Sequence, residues 1–410
     1  MKTGLILLVL LLLSTSCIKS DINGTRAARF AVSDAGNNRI LLWNRVPNSF
    51  SEPADLVLGQ PNMTIGTANN TPDAPGTISA QSLSVPMGVH LFEEKLIAAD
   101  QSNHRVLIWN SWPTTNQQAA DVVLGQNTMT TGGASTGTAT SFSYPNLVSF
   151  DGQHLLVGDI TGRRVKVWNS LPTVNNQPPN LILCQSSLTG WLLGTTSQLC
   201  MRPNSAVSNG NQVAVADWQN HRVLIWNTFP TVSGQAANVV LGQPNMTSAV
   251  INNTPGNPGV ASAQSLYFWT AANQTPSKVM FVGEKLVVSD FNNNRVLVWN
   301  SIPTTNQQAA DMVIGQPDMT TTTASTGAYF SSPSGMYYGG GKFMVSDLLN
   351  NRVHVWKSFP TKNGQQADFV LGQSNFINNS ILPVKDFTLY SPIDVTGNFH
   401  VKGLRIPEGY

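Results

Sequence analysis

The sequence predicts an all-β fold, a six-bladed β-propeller of four-stranded antiparallel blades, and two observations lead to it. One is a phrase that occurs six times with small differences, as in ADQSNHRVLIWN at 99–110. The other is a fixed spacing of Pro, Asp, Trp and Gln, as in Pro86, Asp100, Trp109 and Gln126, which the four following units keep without slippage. Self-similarity at a constant period is the signature of repeat architectures, propellers included.

Each repeat unit is predicted to form four short strands. In the second unit these are PMGVHLF, KLIAAD, RVLIWN and ADVVLGQ, which are apolar or alternate apolar with polar residues. Gly, Asn, Pro and Thr between them supply the turns. Four antiparallel strands in a unit of this length make one propeller blade.

The two ends of the repeat region complement each other. Near the N-terminus Asp34, Trp43 and Gln60 have no Pro before them, whereas Pro392 opens a strand-like segment with no Asp after it. Joining the ends completes a sixth blade, with its first strand from the C-terminus and its other three from residues 29–60. Closure hides sheet edges that an open array would expose. We therefore predict one ring over residues 29–398, followed by a tail at 399–410.

The repeated phrase, VSDFNNNRVLVW in one of its copies, resembles the core of NHL-repeat propellers, and the similarity recurs in all six blades. The segment between the Trp and the last strand, such as NSWPTTNQQAAD, is longer than in an ordinary NHL repeat. The resemblance implies several functions. Some NHL-like six-bladed propellers are enzymes with a metal near the central channel, some bind RNA, and extracellular ones act as sensors or adhesion modules.

An Asp and an Arg recur at the same place in every blade. The Asp precedes a tight connection, where its carboxylate is placed to accept backbone N–H groups, and the Arg five residues later is placed to pair with it or with carbonyls. Since every blade has both, we interpret them as structural, and the repeated Trp as a wedge between neighbouring sheets. The residues are Asp34, Asp100, Asp159, Asp217, Asp290, Asp347, Arg39, Arg105, Arg164, Arg222, Arg295 and Arg352.

All length variation lies between the Gln of one blade and the Pro of the next. In a four-stranded blade these segments emerge on the same side as the turns between the second and third strands. One side, here called the loop face, therefore carries six variable loops. Binding residues concentrate on loops held by a rigid scaffold, so we predict that the functional site lies on the loop face.

Residues that break the repeat on the loop face are the candidate ligand-binding residues. Aromatic side chains exposed on loops suit stacking on sugars or anchoring a protein partner. The alternative is structural: a turn-tolerant polar residue for the two histidines, and packing of long loops onto the rim for the tryptophans. The candidates are His104, Arg163, Trp191, Trp218, His221, Phe268 and Trp269.

Two of the variable loops share a sequence. The stretch NNTPDAPGTISAQSL at 69–83 closely matches NNTPGNPGVASAQSL at 252–266. A three-blade unit has been duplicated, which places related loops opposite each other across the ring. The duplication either reflects ancestry alone or presents paired contacts to a symmetric partner.

The N-terminus predicts export. The start, MKTGLILLVLLLLSTSC, has one Lys and an apolar run too short to span a bilayer, as in a secretory signal peptide at 1–17. Small residues before Cys17 resemble a bacterial lipobox, whose Cys is acylated. We expect an envelope protein in the outer membrane or periplasm, attached to the membrane only by this lipid, with 18–28 as a tether. An ordinary cleaved signal peptide is the alternative.

Two further cysteines, Cys184 and Cys200, form an even pair in an oxidising compartment. A disulfide between them would close the loop that separates two repeat units. Two buried free thiols are the alternative, because sequence does not supply the Cβ distance that a disulfide requires.

Composition limits the function classes. Charged residues make up 11% of the chain, the net charge is +2 and no basic run occurs, so there is no footprint for nucleic acid. No Cys or His pair has metal-ligand spacing, and neither a G-x-S-x-G elbow nor a phosphate loop occurs. Near the channel, only His90 and Asp394 are placed to meet across neighbouring first strands.

We therefore expect a monomeric, non-enzymatic binding or scaffold protein without a cofactor or metal, which recognises a protein or glycan partner through the loop face. The alternative is a metal-dependent propeller enzyme, lyase or lactonase-like, with its site at the central channel.

Overall fold

A computed structural model describes residues 28–398, except for 72–73, 136, 271–275 and 328. The predicted signal peptide with Cys17, the tether up to residue 27 and the predicted tail lie outside the described residues. Within them, no helix has the length and apolar character needed to cross a membrane.

The described residues form 24 strands in six four-stranded antiparallel sheets, which confirms the predicted fold class. Blades are numbered in chain order, starting with the blade that contains both ends of the ring. Blade 1 comprises β24 (Pro392–Asn398), β1 (Arg29–Asp34), β2 (Arg39–Trp43) and β3 (Leu56–Leu58); blade 2 β4 (Pro86–Phe92), β5 (Lys95–Asp100), β6 (Arg105–Trp109) and β7 (Val122–Leu124); blade 3 β8 (Pro145–Phe150), β9 (Leu155–Asp159), β10 (Arg164–Trp168) and β11 (Leu181–Leu183).

The second half of the ring repeats the order. Blade 4 comprises β12 (Pro203–Ser208), β13 (Val213–Asp217), β14 (Arg222–Trp226) and β15 (Val239–Leu241); blade 5 β16 (Val279–Val282), β17 (Lys285–Asp290), β18 (Arg295–Trp299) and β19 (Met312–Ile314); blade 6 β20 (Pro333–Gly339), β21 (Lys342–Asp347), β22 (Arg352–Trp356) and β23 (Phe369–Leu371). Short 3₁₀ turns join the second and third strands at Ala35–Asn37, Gln101–Asn103, Trp218–Asn220, Phe291–Asn293 and Leu348–Asn350.

The ring closes as predicted, by pairing β24 with β1. Phe30 lies opposite Gly397, and Val32 lies opposite Val395. The last strand of the chain is thus the innermost strand of the first blade. No edge is left open at the junction, because β24 supplies the hydrogen-bonding partner that β1 lacks.

Apolar cores lie between neighbouring blades. The Trp of each third strand is almost fully buried, and Trp109 packs with Leu42 and Leu58 of blade 1. The indole N–H of Trp109 donates to the carbonyl of Gln118, 3.0 Å away. The repeated Trp of the other five blades forms the same bond. In each blade the indole ring therefore fills the gap between two sheets, and its N–H anchors the connection that follows the third strand.

That connection explains the long segment between the Trp and the last strand. Asn116 Oδ1 accepts from the N–H of Val57 in the outermost strand of blade 1, at 3.0 Å, and the N–H of Gln117 donates to the Val57 carbonyl, at 2.7 Å. The same edge clasp covers Val123, Ile182, Val240 and Val313. Each of these outer strands is therefore capped by the next blade.

The innermost strands surround a central channel. A cluster of apolar side chains lies at the loop-face end of these strands; its members are Ala35, Met87, Leu147, Phe291, Leu348 and Ile393. Further along the channel the lining becomes polar, and Lys278 Nζ lies 2.6 Å from Asp394 Oδ1.

Candidate functional site

The repeated Asp–Arg pair builds the loop face. In blade 2, Arg105 Nε donates to Asp100 Oδ2 at 2.7 Å, and both groups are fully buried. Its remaining nitrogens donate to the carbonyls of Met129, in the loop leaving the blade, and of Ser79 and Ser82, in the loop entering it. All six blades repeat the pair. Each arginine thus fixes two variable loops to the scaffold.

The repeated Gln adds a second anchor for each outgoing loop. In blade 3, Gln185 Nε2 donates to the carbonyls of Arg163 and Leu192, at 3.1 and 2.9 Å, and its Oε1 accepts from the Leu192 N–H at 2.8 Å. The Gln of every other blade donates to the residue seven positions later in the same way. We call this contact the Gln clamp.

Shared residues of the duplicated loops form hydrogen bonds within the protein. The side-chain amides of Asn69 and Asn103 exchange two hydrogen bonds, at 3.0 and 2.7 Å. Asn252 and Asn293 do the same in blade 5, at 3.1 and 2.7 Å. The shared sequence therefore pins each loop to the 3₁₀ turn beside it.

His104 and His221 act as hydrogen-bond acceptors between blades. The residue that ends each 3₁₀ turn has a left-handed backbone, and in blade 1 this residue is Asn38, whose Oδ1 accepts from the N–H of Val85 in blade 2 at 2.9 Å. Histidine Nδ1 takes over this task at the next junction, where His104 accepts from Tyr144 at 3.2 Å. We call this contact the seam bond.

The seam bond requires a neutral imidazole, because Nδ1 must keep its lone pair. Both histidines are buried. Burial lowers the pKa of His221 to about 4 and also lowers the pKa of His104. Their contacts are those of the structural alternative, and neither side chain is freely presented to a ligand on the loop face.

Two of the candidate aromatics are core residues, so the expectation that they are exposed is wrong. Trp218 and Phe268 are 1% and 0% exposed, and the indole N–H of Trp218 donates to the Phe268 carbonyl at 2.7 Å. Both belong to the apolar core shared by blades 4 and 5. Trp269 is half-buried, with its ring edge-on to Trp218 at 6.4 Å. The long loop of blade 4 folds inward and covers these rings.

Trp191 lies at the surface, as predicted, and it is the first of three exposed apolar residues. Trp191, Leu192 and Leu193 are 60%, 62% and 59% exposed. The loop that carries them is closed at its base by a disulfide between Cys184 and Cys200. We call Trp191–Leu193 the apolar finger. Sequence reasoning missed Leu192 and Leu193, although an uninterrupted WLL between two glycines was a usable signal.

The fold does not require bulky residues at the finger. The Gln clamp of blade 1 holds Thr67 where Leu192 lies in blade 3, at 2.8 Å. The corresponding triplets in the other blades are Gly66–Ala68, Gly132–Ala134, Ala249–Ile251, Thr322–Ala324 and Asn379–Ile381. In blades 1, 2 and 5 small and polar residues satisfy the same backbone contact, whereas blade 4 has Val250 and Ile251 there, 48% and 40% exposed, and blade 6 has Ile381. The backbone contact therefore does not require bulky side chains, and the finger differs from the other triplets in having three adjacent large apolar residues.

Arg163 contacts the finger directly. Its guanidinium carbon lies over the Trp191 ring, 5.9 Å from the centroid. This distance is within the range of a cation–π contact, which favours this orientation of the indole. Arg163 and Trp191 are thus the two predicted site residues that the structure brings together at the surface.

The channel does not assemble the pair considered for catalysis. His90 Nε2 lies 2.9 Å from the Phe150 carbonyl, while Asp394 pairs with Lys278 and accepts from the Val89 N–H. Burial, and then the charge of Lys278, lower the pKa of His90 to about 4. Among the described residues no three His, Cys, Asp or Glu side chains are grouped so as to hold a metal ion. Lys278, which sequence reasoning overlooked, occupies the polar part of the channel.

Comparison with known proteins gives fold-level similarity alone. No protein-family model and no curated protein sequence matches the chain. A chain in a nidogen/laminin complex is similar at a TM-score of 0.43 and 11% identity, covering 91% of this chain and 98% of its own. A structure assigned as a 6-phosphogluconolactonase from Bacteroides uniformis is similar at a TM-score of 0.42 and 12% identity, covering 91% of this chain and 100% of its own. Similarity this low carries no inference about activity or partner.

Proposed function

We propose that this propeller is a non-catalytic binding or scaffold protein, exported to the cell envelope, that recognises a protein or glycan partner through its loop face. NHL-type extracellular modules resemble it in this respect. The apolar finger is the observation that supports the proposal. Three adjacent large apolar side chains remain in water although the fold accepts Gly, Thr and Ala at the same places.

The scaffold under the finger favours recognition by fixed contacts. The Gln clamp holds Leu192 at both its N–H and its carbonyl, and the disulfide closes the loop below. A binding element that is ordered before contact loses less conformational entropy when the partner arrives. Trp and Arg, which meet at Trp191 and Arg163, are also among the residue types most enriched in interface hot spots.

The metal-dependent enzyme is the weaker alternative. The one carboxylate proposed for the channel, Asp394, already has an ammonium partner at 2.6 Å. A metal would have to displace Lys278 from this buried pair, which leaves a buried charge without a counterion.

The test is a binding screen with a matched variant. Purified protein beginning at residue 18 is presented to arrays of glycans and of envelope proteins. The triple substitution W191G/L192T/L193A, which copies blade 1, is expected to lower the affinity for each true ligand by at least about tenfold. The control is I381A, because Ile381 is 64% exposed at the place in blade 6 that corresponds to Leu193. Retention of every hit by the triple variant contradicts the assignment of the site.

A further inference from the structure

We propose that the partner is a protein, and that it receives the apolar finger in an apolar pocket whose rim carries Asp or Glu. This inference rests on the proposed function, because it names the partner of the same face. It is carried by a second feature, a pair of arginines at the junction of blades 3 and 4, Arg163 and Arg202, of which Arg163 contacts Trp191 of the finger.

The arginine pair replaces the seam bond. At the other five junctions an Asn or His at the left-handed position accepts from an N–H of the next blade; the pairs are Asn38–Val85, His104–Tyr144, His221–Phe268, Asn294–Ser332 and Asn351–Ser391. At the junction of blades 3 and 4 the corresponding residues are Arg163 and Arg202, and guanidinium has no acceptor. The backbone N–H of Arg202 donates instead to Asp217 Oδ1, at 3.3 Å, which is longer than the 2.9–3.2 Å of the five seam bonds.

The arginine pair is unfavourable for the isolated ring. Arg163 has φ 55, a backbone region in which Asn is preferred over long side chains. Its Nε is buried without a hydrogen-bond partner. Burial, and then the charge of Arg202, lower the pKa of Arg163. Two like charges at the place where the other junctions form a neutral bond are the kind of local conflict expected at a functional site.

The arginine pair also lacks a counterion. Among the described residues, neither Arg163 nor Arg202 forms an ion pair with a carboxylate. Both are half-buried, so solvent compensates them less well than it would a free surface charge. A carboxylate from outside the molecule would complete the site, and guanidinium binds carboxylate with paired hydrogen bonds.

The finger itself favours a protein over a glycan. The side chains of Leu192 and Leu193 have no polar atom that could pair with sugar hydroxyls. Burying sugar hydroxyls against these side chains without a hydrogen-bond partner is unfavourable. Trp191 beside Arg163 matches instead the residue types that anchor protein–protein interfaces, and the two leucines add apolar surface that a protein pocket can cover.

The position of the chain ends favours a protein over a lipid surface. β1 starts at Arg29 and ends at Asp34, which contacts the loops, so residue 29 lies at the face opposite the finger. If Cys17 carries the predicted lipid, the anchored segment joins the ring at the face opposite the finger. The fixed backbone of the finger also suits a shaped pocket better than a fluid bilayer.

The experiment uses photocrosslinking of the full chain displayed on intact cells. A photoreactive amino acid replaces Leu193 or, as the matched control, Ala68, which lies at the same place in blade 1. A discrete protein adduct is expected at position 193 and not at 68. Mass spectrometry of the crosslinked peptide is expected to find Asp or Glu next to aliphatic residues.

The charge requirement is tested with R163N/R202S, which recreates the residues at the junctions of blades 5 with 6 and 6 with 1. The adduct yield at position 193 is expected to fall about tenfold, and salt is expected to weaken the wild-type adduct more than the residual one. If R163N/R202S leaves the adduct yield at position 193 unchanged while W191G/L192T abolishes the adduct, the acidic rim is overturned and the proposed function stands. Absence of any adduct at 193 and of any hit on the arrays overturns both.

Vesicles of phosphatidylglycerol and phosphatidylcholine in equal parts test the lipid surface. Cosedimentation of wild-type protein beginning at residue 18 is expected to match that of W191G/L192T/L193A. Binding that only the wild type shows, together with lipid rather than protein adducts at position 193, overturns the protein partner.

Discussion

At the scale of single residues, one backbone position separates the blades that form the seam bond from the blade that does not. The left-handed residue that ends the turn between the second and third strands is Asn38 in blade 1, His104 in blade 2 and Arg163 in blade 3. Asn and His both supply an acceptor for the next blade, so the histidines that stood out in the sequence are substitutes for Asn. Arg163 supplies none, which makes it the true departure from the repeat.

The first prediction concerns this departure. Arg163→Asn introduces an acceptor for the seam bond and a side chain that tolerates positive φ. We expect the free energy of unfolding to rise by about 1 kcal/mol, the net contribution of one hydrogen bond. Urea unfolding followed by tryptophan fluorescence measures it. A loss of stability would show that Arg163 supports the fold, which would remove the argument for its functional role.

The second prediction concerns pH. The pKa of His221 is about 4 in the folded protein and 6.5 in the unfolded chain. Between these values only the unfolded chain binds the proton, so the free energy of unfolding falls as the pH drops from 6.5 towards 4. His221→Asn keeps an acceptor and removes the titration. We expect the free energy of unfolding of the variant to rise relative to that of the wild type as the pH is lowered, by up to about 3 kcal/mol at pH 4.

Urea unfolding of both proteins at pH 7.5, 6, 5 and 4 checks this expectation, with the two compared first at pH 7.5, where His221 is neutral in both states. Curves that stay parallel down to pH 4 would contradict the assignment of His221 Nδ1 as the acceptor.

At the scale of elements, the edge clasp accounts for a feature that the sequence made visible and did not explain. The segment between Trp109 and β7 is long because it reaches back to the outer strand of the preceding blade. Its contacts join residues about sixty positions apart, as Asn116 and Val57 do, and such pairing leaves no local pattern. The strands themselves were predictable, because alternation and turn residues are local signals.

The third prediction tests the edge clasp. Asn116→Ala removes the acceptor for the Val57 N–H, and we expect a loss of about 1 kcal/mol in the free energy of unfolding. Amide hydrogen exchange at Val57 is expected to accelerate along with it. Thr115→Ala is the control, since Thr115 is exposed in the same segment. Equal effects of the two substitutions would mean that the clasp adds nothing to the edge strand.

At the scale of the whole molecule, the closed ring was predictable from its two ends. Pro392 without a following Asp and Asp34 without a preceding Pro are complementary fragments of one unit, and β24 pairs with β1 accordingly. The site was less predictable. Trp191 could be identified as a departure on a loop, but the burial of Trp218 and Phe268 depends on how the long loop of blade 4 folds back, which no local pattern encodes.

The fourth prediction tests the closure. A chain that stops at residue 391 lacks β24, which exposes the edge of β1 and leaves Lys278 without Asp394. We expect it to lose cooperative unfolding and to self-associate, measured by urea unfolding and size-exclusion chromatography. A chain that stops at residue 398 keeps every described strand and is the control. A truncated chain at 391 that stays monomeric and unfolds like the control would refute the role of closure.

The capped outer strands have a consequence for self-association of the protein at high concentration. In five blades the N–H and the carbonyl of the middle residue of the outermost strand are already bonded to the neighbouring blade. Copies that meet side by side therefore have little opportunity to add strands to one another at these edges, the route by which many β-proteins aggregate.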